Sequence, residues 1–437
     1  MIEPHAVQRT YKSANLQLSQ PILPATHRPF RTQVCEMNPE TNLIVLCARI
    51  FQSALEVSSL RSALSKPLNW TLLEQNAEDH AVMPIVAHVL TQHGKELLPQ
   101  DILKILQDRL LRAAYNNLAW LQEWLGVLQA LANSRIPVIS FKGPALGLMA
   151  YGSLALREFA DLDLLVRQCD VLRTRDVLVH HGYLLNSVVP GGTDGALTRS
   201  DDCQISFAKN DERGMKLDLH WGVMPKRSSF QLEVGSLFES ASVVRHETIS
   251  FLCLSPEHLL LLLCAHGTKH CWSNLRLLCD VACHVQSNPN LNWDLSIHLA
   301  ESSGCDLVMK HGLLMTTEVL NLALPERFRQ YICDDAKARL LVGKAQAFLF
   351  RENKDHSPYL DDRSRYLEVL RYRLAFERAH PFRNGAATVL RRAFIPNEAD
   401  WRSLRLPRGL YFLYYLFRPI RLVSERLSIR GRHLDWR

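Results

Sequence analysis

The sequence predicts an α+β protein in which one small α/β core is flanked by N-terminal and C-terminal helical regions. Three observations lead there. Apolar residues recur at helical spacings of three and four on both sides of the core. Between residues 136 and 225 the period switches to alternation. Within that stretch, CQISFAKN and MKLDLHWGV flank the turn-rich NDERG in the manner of a hairpin. Composition agrees, since 47% hydrophobic and 22% charged residues in a chain of 437 are ordinary globular proportions, with room for two or three folding units.

Residues 1–42 are polar and carry Pro4, Pro21, Pro24, Pro29 and Pro39, so they read as a poorly ordered leader. Residues 43–135 read as helical, divided early by Pro67, Pro84 and Pro99. A later leucine series runs through Leu118, Leu121, Leu125, Leu128 and Leu131. In the core, 136–225, the run Ile136–Phe141 is a short strand that ends at Lys142-Gly143-Pro144. A helix follows, and Gly152 can end it. Phe159–Val166 reads as a strand, and Asp170 is placed to cap a helix that Gly182 stops. Residues 226–355 return to a mainly helical pattern, with Ser255-Pro256-Glu257 opening one helix and others expected at 273–286, 304–322 and 335–352. The last region, 356–437, is basic and aromatic. From Trp401 onward it holds nine arginines against Glu425 and Asp435.

The candidate chemistry starts at Asp161-Leu162-Asp163. On a strand, residues i and i+2 share a face, so both carboxylates project together while Leu162 and Leu164 enter the core. Two like charges side by side call for a positive neutraliser, and a divalent cation with hard oxygen ligands supplies one. Asp218, in the alternating run Met215–Trp221, is a third acid if its strand pairs alongside. Three carboxylates suit a two-metal site. An Asp-x-Asp pair alone is equally well two exposed acids on a half-buried strand, and metal-dependent glycosyltransferases share the spacing.

Upstream, Lys142-Gly143 lies between a strand and a helix, where backbone amides and a lysine can receive phosphate oxygens. Pro144 removes one such donor. Arg157 reads equally as a phosphate contact or as an ion pair that orients Asp161. No P-loop, dinucleotide fingerprint, HExxH or nucleophile elbow occurs.

The run FKGPALGLMAYGSLALREFADLDLLV resembles the signature of the uncharacterised nucleotidyltransferase family, a branch of the polymerase-β-like superfamily. The matching positions are Lys142, Gly143, Tyr151, Gly152, Arg157, Asp161, Asp163, Leu164, Leu165 and Val166. Leu217-Asp218-Leu219-His220-Trp221 matches further, as do His266, Lys269, Trp272, Leu275 and Asp280 in a helical module. IPNEADW and LYYLFRPIRL are similar to the family's C-terminal region.

The resemblance implies a polymerase-β-type core and transfer of a nucleoside monophosphate from a nucleoside triphosphate to an acceptor hydroxyl. Asp161, Asp163 and Asp218 would then be catalytic and bind Mg²⁺ (or Mn²⁺), with Lys142, Gly143 and Arg157 on the nucleotide. The acceptor stays open among small molecule, glycan, peptide and RNA, with polysaccharide or modified-peptide biosynthesis as settings. A nucleotide-binding scaffold without chemistry and a toxin-like transferase acting on RNA are the alternatives.

Other signals carry less. His220 shares a face with Asp218 and can orient a carboxylate, contact substrate or be a structural histidine. His266 and Lys269 are candidates to line a cleft. Cys264, His266, His270, Cys271, Cys279, Cys283 and His284 contain no Cys-x-x-Cys pair, and core cysteines on apolar helices explain them better than zinc. The net charge of +7 fits a nucleotide, a nucleic acid or an anionic membrane surface. The aromatic, arginine-rich tail is open to peripheral membrane contact, but packing of its aromatic face onto the protein is the favoured reading. Eleven scattered cysteines, a start without an apolar h-region and no apolar stretch longer than Leu259–Ala265 point to a cytoplasmic protein with reduced thiols and no transmembrane segment.

Overall fold

The structure, a computed structural model, describes residues 8–10, 37–53, 56–186, 203–224, 231–246, 249–351, 363–376, 390, 393–396, 398–404 and 406–432. Most of the expected leader and the last five residues lie outside the described residues. The architecture is α+β and predominantly helical. The chain forms two compact units. One comprises Met1–Leu128, Ile139–Leu162 and Leu237–His356, and the other Gln129–Val138, Asp163–Ser236 and Ser357–Arg437.

In the first unit, β1 (Gln8–Thr10) runs parallel to β7 (Ser242–His246), and β7 pairs antiparallel with β8 (Ile249–Cys253). β8 lies parallel to β2 (Ile139–Ser140), through Ile139 and Leu252. The sequence reading did not anticipate the β7–β8 hairpin. Its strands are five residues each and bury too few side chains to impose a visible alternation.

The 34-residue helix Gln100–Asn133 is expected to face inward on its leucine series, yet Leu118 is 58% exposed. Of that series only Leu131 is fully buried, and the buried side is completed by Leu106, Ala113, Asn117, Trp124 and Val127. Trp124 decides the rotation: its Nε1 donates to Ser140 Oγ at 2.9 Å, and its ring meets Phe251 edge-on. Asn117 donates to the carbonyls of Leu154 and Arg157, fixing the segment that precedes the carboxylates.

The helical module begins where expected. Ser255 accepts from the His258 amide and Pro256 occupies the first turn of the helix Pro256–Lys269. That helix is buried almost all round, against helices Leu275–Ser287 and Asp306–Leu320. The turn between the first two places Cys271 and Trp272 at φ 55° and 53°, a left-handed conformation that non-glycine residues adopt at a cost. Trp272 is fully buried, and a Cβ added at Gly267 would stand 2.5 Å from its ring, one at Gly312 3.0 Å. Both glycines are therefore the space the indole fills.

Burial lowers the pKa of His284 to about 4 and that of His311 to about 3, from an ordinary 6.5. An imidazole titrating at about 4 when folded binds fewer protons than its unfolded counterpart between there and 6.5. Stability is therefore expected to fall as pH drops through that window, His284 alone contributing a loss of ~3 kcal/mol by its lower end. Urea midpoints at neutral pH and near pH 4.5 measure this, with a smaller drop in His284→Gln; a wild-type midpoint independent of pH would refute it.

The second unit carries β4 (Tyr183–Leu185), β5 (Gln204–Lys209) and β6 (Lys216–His220) in successive antiparallel pairs. β3 (Asp161–Leu165) begins in the first unit and continues into the second, where the Val166 amide donates to the His220 carbonyl at 2.9 Å. The helix Val171–His180 follows. Asp170 precedes it without a side-chain cap, because its carboxylate pairs with Arg173 at 2.7 Å instead. The ten described cysteines are free thiols. Among the described residues no helix is long and apolar enough to cross a membrane.

Candidate functional site

β3 buries Leu162 and Leu164 completely, so Asp161 and Asp163 share the opposite face. On β6 the same alternation buries Leu217 and Leu219 and leaves Asp218 and His220 together. The second unit joins the products of these two patterns. His220 Nε2 lies 3.0 Å from Asp163 Oδ1, and Asp163 is only 4% exposed. Ser206, directly across from Asp218 on β5, donates its hydroxyl to one carboxylate oxygen. Gln204, across from His220, donates to the other at 3.1 Å. Ligand atoms of Asp163, Asp218 and His220 come within 4.8 Å of one another, the one such group among the described residues. Two carboxylates and an imidazole, oriented by neighbouring donors, form a donor set that fits a divalent cation.

Asp161 stands two positions before Asp163, half-buried and within electrostatic reach of Arg157. Arg157 does not project outward. It is 5% exposed and grips Asp280 of helix Leu275–Ser287 with both ends of its guanidinium, Nε at 2.7 Å and Nη2 at 2.9 Å. Tyr151 donates its hydroxyl to the same carboxylate at 2.6 Å. Burial works against both charges. Asp280 nonetheless holds Arg157 protonated, while Arg157, aided by Arg276 and Tyr151, holds the Asp280 carboxyl below its usual range. Sequence reasoning had Tyr151, Arg157 and Asp280 as separate positions. Nothing in a linear pattern signals that residues 129 and 123 apart form one buried network.

Gly143 adopts φ 56°, and a Cβ there would meet the Asp161 carbonyl oxygen at 3.1 Å. Glycine is required twice over, by backbone conformation and by close approach to the carboxylate strand. Gly143→Ala is expected to cost roughly 1–3 kcal/mol of stability; a urea midpoint equal to wild type would show that the turn tolerates a side chain. Pro144 occupies the first position of the short helix Pro144–Ala150.

Lys142 is half-exposed beside the Phe141 ring. His266 belongs to the same surroundings. Burial, then the charge of Lys142 and of His270, Lys269 and Arg276, hold its pKa well below the ordinary imidazole range. His266 and His270 lie with ring centroids 4.6 Å apart, and Lys269 between them is exposed. The first unit thus gathers Lys142, Lys269 and Arg276 around a neutral imidazole. Such a group suits an anion. The cysteines and histidines weighed for zinc do not converge among the described residues.

Comparison with known proteins bears on this geometry. A sequence model of a family described as uncharacterised nucleotidyltransferase matches residues 66–321, more than half of the chain. No curated protein gives a significant match.

Proposed function

This chain belongs to the uncharacterised nucleotidyltransferase family, and from that premise we propose that it moves a nucleoside monophosphate from a nucleoside triphosphate to an acceptor hydroxyl on a polymerase-β-type core. The observation that carries the reading is the convergence of Asp163, Asp218 and His220 from two strands, with Asp161 next on the same face.

Asp161, Asp163 and Asp218 would hold Mg²⁺ or Mn²⁺. The ion would neutralise the triphosphate and the charge that builds on the leaving pyrophosphate. His220 keeps one oxygen of Asp163 in place, and Ser206 and Gln204 do the same for Asp218. Asp218 takes the proton of the acceptor hydroxyl as its oxygen attacks the α-phosphorus. The bond to pyrophosphate breaks on the opposite side. Lys142, the Gly143 turn and Lys269 receive the triphosphate, in the cationic surroundings of His266. Arg157, occupied by Asp280, serves as electrostatic support for Asp161.

Thermal stability with ATP, GTP, CTP and UTP, each with and without Mg²⁺, tests this. A ligand at a hundred times its dissociation constant that binds only the folded state adds about 2.7 kcal/mol. A Mg²⁺-dependent rise with at least one nucleotide, absent in Asp161→Asn/Asp163→Asn, is expected. No rise with any nucleotide would reject the reading.

A further inference from the structure

The C-terminal helix Tyr414–Arg432 carries two stripes of the same spacing on opposite sides. Tyr414, Arg418 and Arg421 recur at i, i+4 and i+7. All three are anchored. Arg418 Nη1 and Arg421 Nε bind the two oxygens of Asp400 at 2.7 and 2.6 Å, and Asp400 is wholly buried on helix Glu398–Ser403. The Tyr414 hydroxyl donates to the Leu404 carbonyl at 2.6 Å and accepts from the Leu406 amide at 3.1 Å.

Leu416, Ile420 and Val423 repeat that spacing two residues on, roughly 200° further round the helix. They are 59%, 65% and 54% exposed, and Phe412 and Tyr415 adjoin them at 62% and 52%. The favoured expectation, an aromatic face packed inward, therefore holds for Tyr414 and fails for these two. Pro419 does not interrupt the helix. It lies in the second turn, where its missing N–H removes a single backbone bond.

Single exposed apolar residues are ordinary, but a continuous stripe of large ones is not. Turning the helix to hide it would break a buried carboxylate away from two guanidinium groups, which is strongly unfavourable. The stripe is thus held outward. Its occupant must also suit the charge of residues 401–437, where seven arginines remain beyond the two held by Asp400, against Glu425 and Asp435. A second copy would bring the same positive charge. A nucleic acid would take the arginines and leave the aliphatic stripe in water. An anionic lipid surface accommodates both.

We propose that this helix docks on an anionic membrane surface, lying in its plane with Phe412, Leu416, Ile420 and Val423 in the interfacial layer. The inference is independent of the nucleotidyl-transfer reading.

Flotation of the full-length protein with vesicles of phosphatidylcholine alone, or of phosphatidylcholine mixed with phosphatidylglycerol, tests it. Binding to the mixed vesicles is expected to exceed binding to the neutral ones roughly tenfold, and Leu416→Glu/Ile420→Glu to remove that gain. The altered side chains are exposed, so the melting midpoint should not move; the milder Ile420→Ser guards against misfolding and should give a partial loss. No flotation, or flotation equal in variant and wild type, overturns the proposal. So does a variant that instead loses a dimer in light scattering or retention of tRNA on a filter.

Discussion

Asparagine in place of Asp163 is expected to lower nucleotidyl transfer by roughly three orders of magnitude or more, with little change in stability. The substitution keeps the shape of the side chain and its capacity to bond His220, which lies 3.0 Å away. It removes the negative charge. Asp163 and Asp218 repel one another unless something positive lies between them, so losing one charge relieves that repulsion without metal and forfeits attraction with it. The melting midpoint of Asp163→Asn without Mg²⁺ should be equal to wild type or slightly higher, and the Mg²⁺-dependent rise with nucleotide should vanish. Pyrophosphate release from the stabilising nucleotide is the direct readout. Undiminished release would remove Asp163 from the chemistry.

A large effect on stability is expected at Asp280. Truncating it to alanine strands the Arg157 guanidinium, which is 5% exposed and donates from Nε and Nη2 to that one carboxylate. Breaking a buried pair from one side costs about 3–5 kcal/mol, most of it the uncompensated charge left behind. The Tyr151 hydroxyl loses its acceptor as well. Asp280→Ala is therefore expected to shift the urea midpoint sharply, and Arg157→Met/Asp280→Leu to recover much of the loss. A fall of less than about 1 kcal/mol in the single variant would mean that the ion pair is not the buried anchor described above.

Those two residues also mark the limit of what the sequence makes legible. Asp161, Asp163, Asp218 and His220 can be read because strands alternate, and burial of Leu162, Leu164, Leu217 and Leu219 obeys the same rule. The helix start at Ser255-Pro256 follows from local chemistry and appears where expected. What cannot be read this way is pairing at long range. The orientation of helix Gln100–Asn133 is set by a Trp124–Ser140 bond and by Asn117, which turn Leu118 of the leucine series outward while Leu131 stays buried. The bidentate grip of Asp280 on Arg157 likewise depends on which helix arrives beside which turn. Asp170 shows the converse: a residue suited to capping finds a better partner in Arg173.

Trp272 has one more consequence, because its two close walls are glycines. Removing its indole opens a cavity that neither Gly267 nor Gly312 has a side chain to refill, so Trp272→Ala should lose more stability than an average large-to-small change. The vacated volume matches the group deleted, and free indole in the buffer should occupy it. The helical module of such a variant would melt at a temperature set by indole dose, turning a packing constraint into a chemical on-switch.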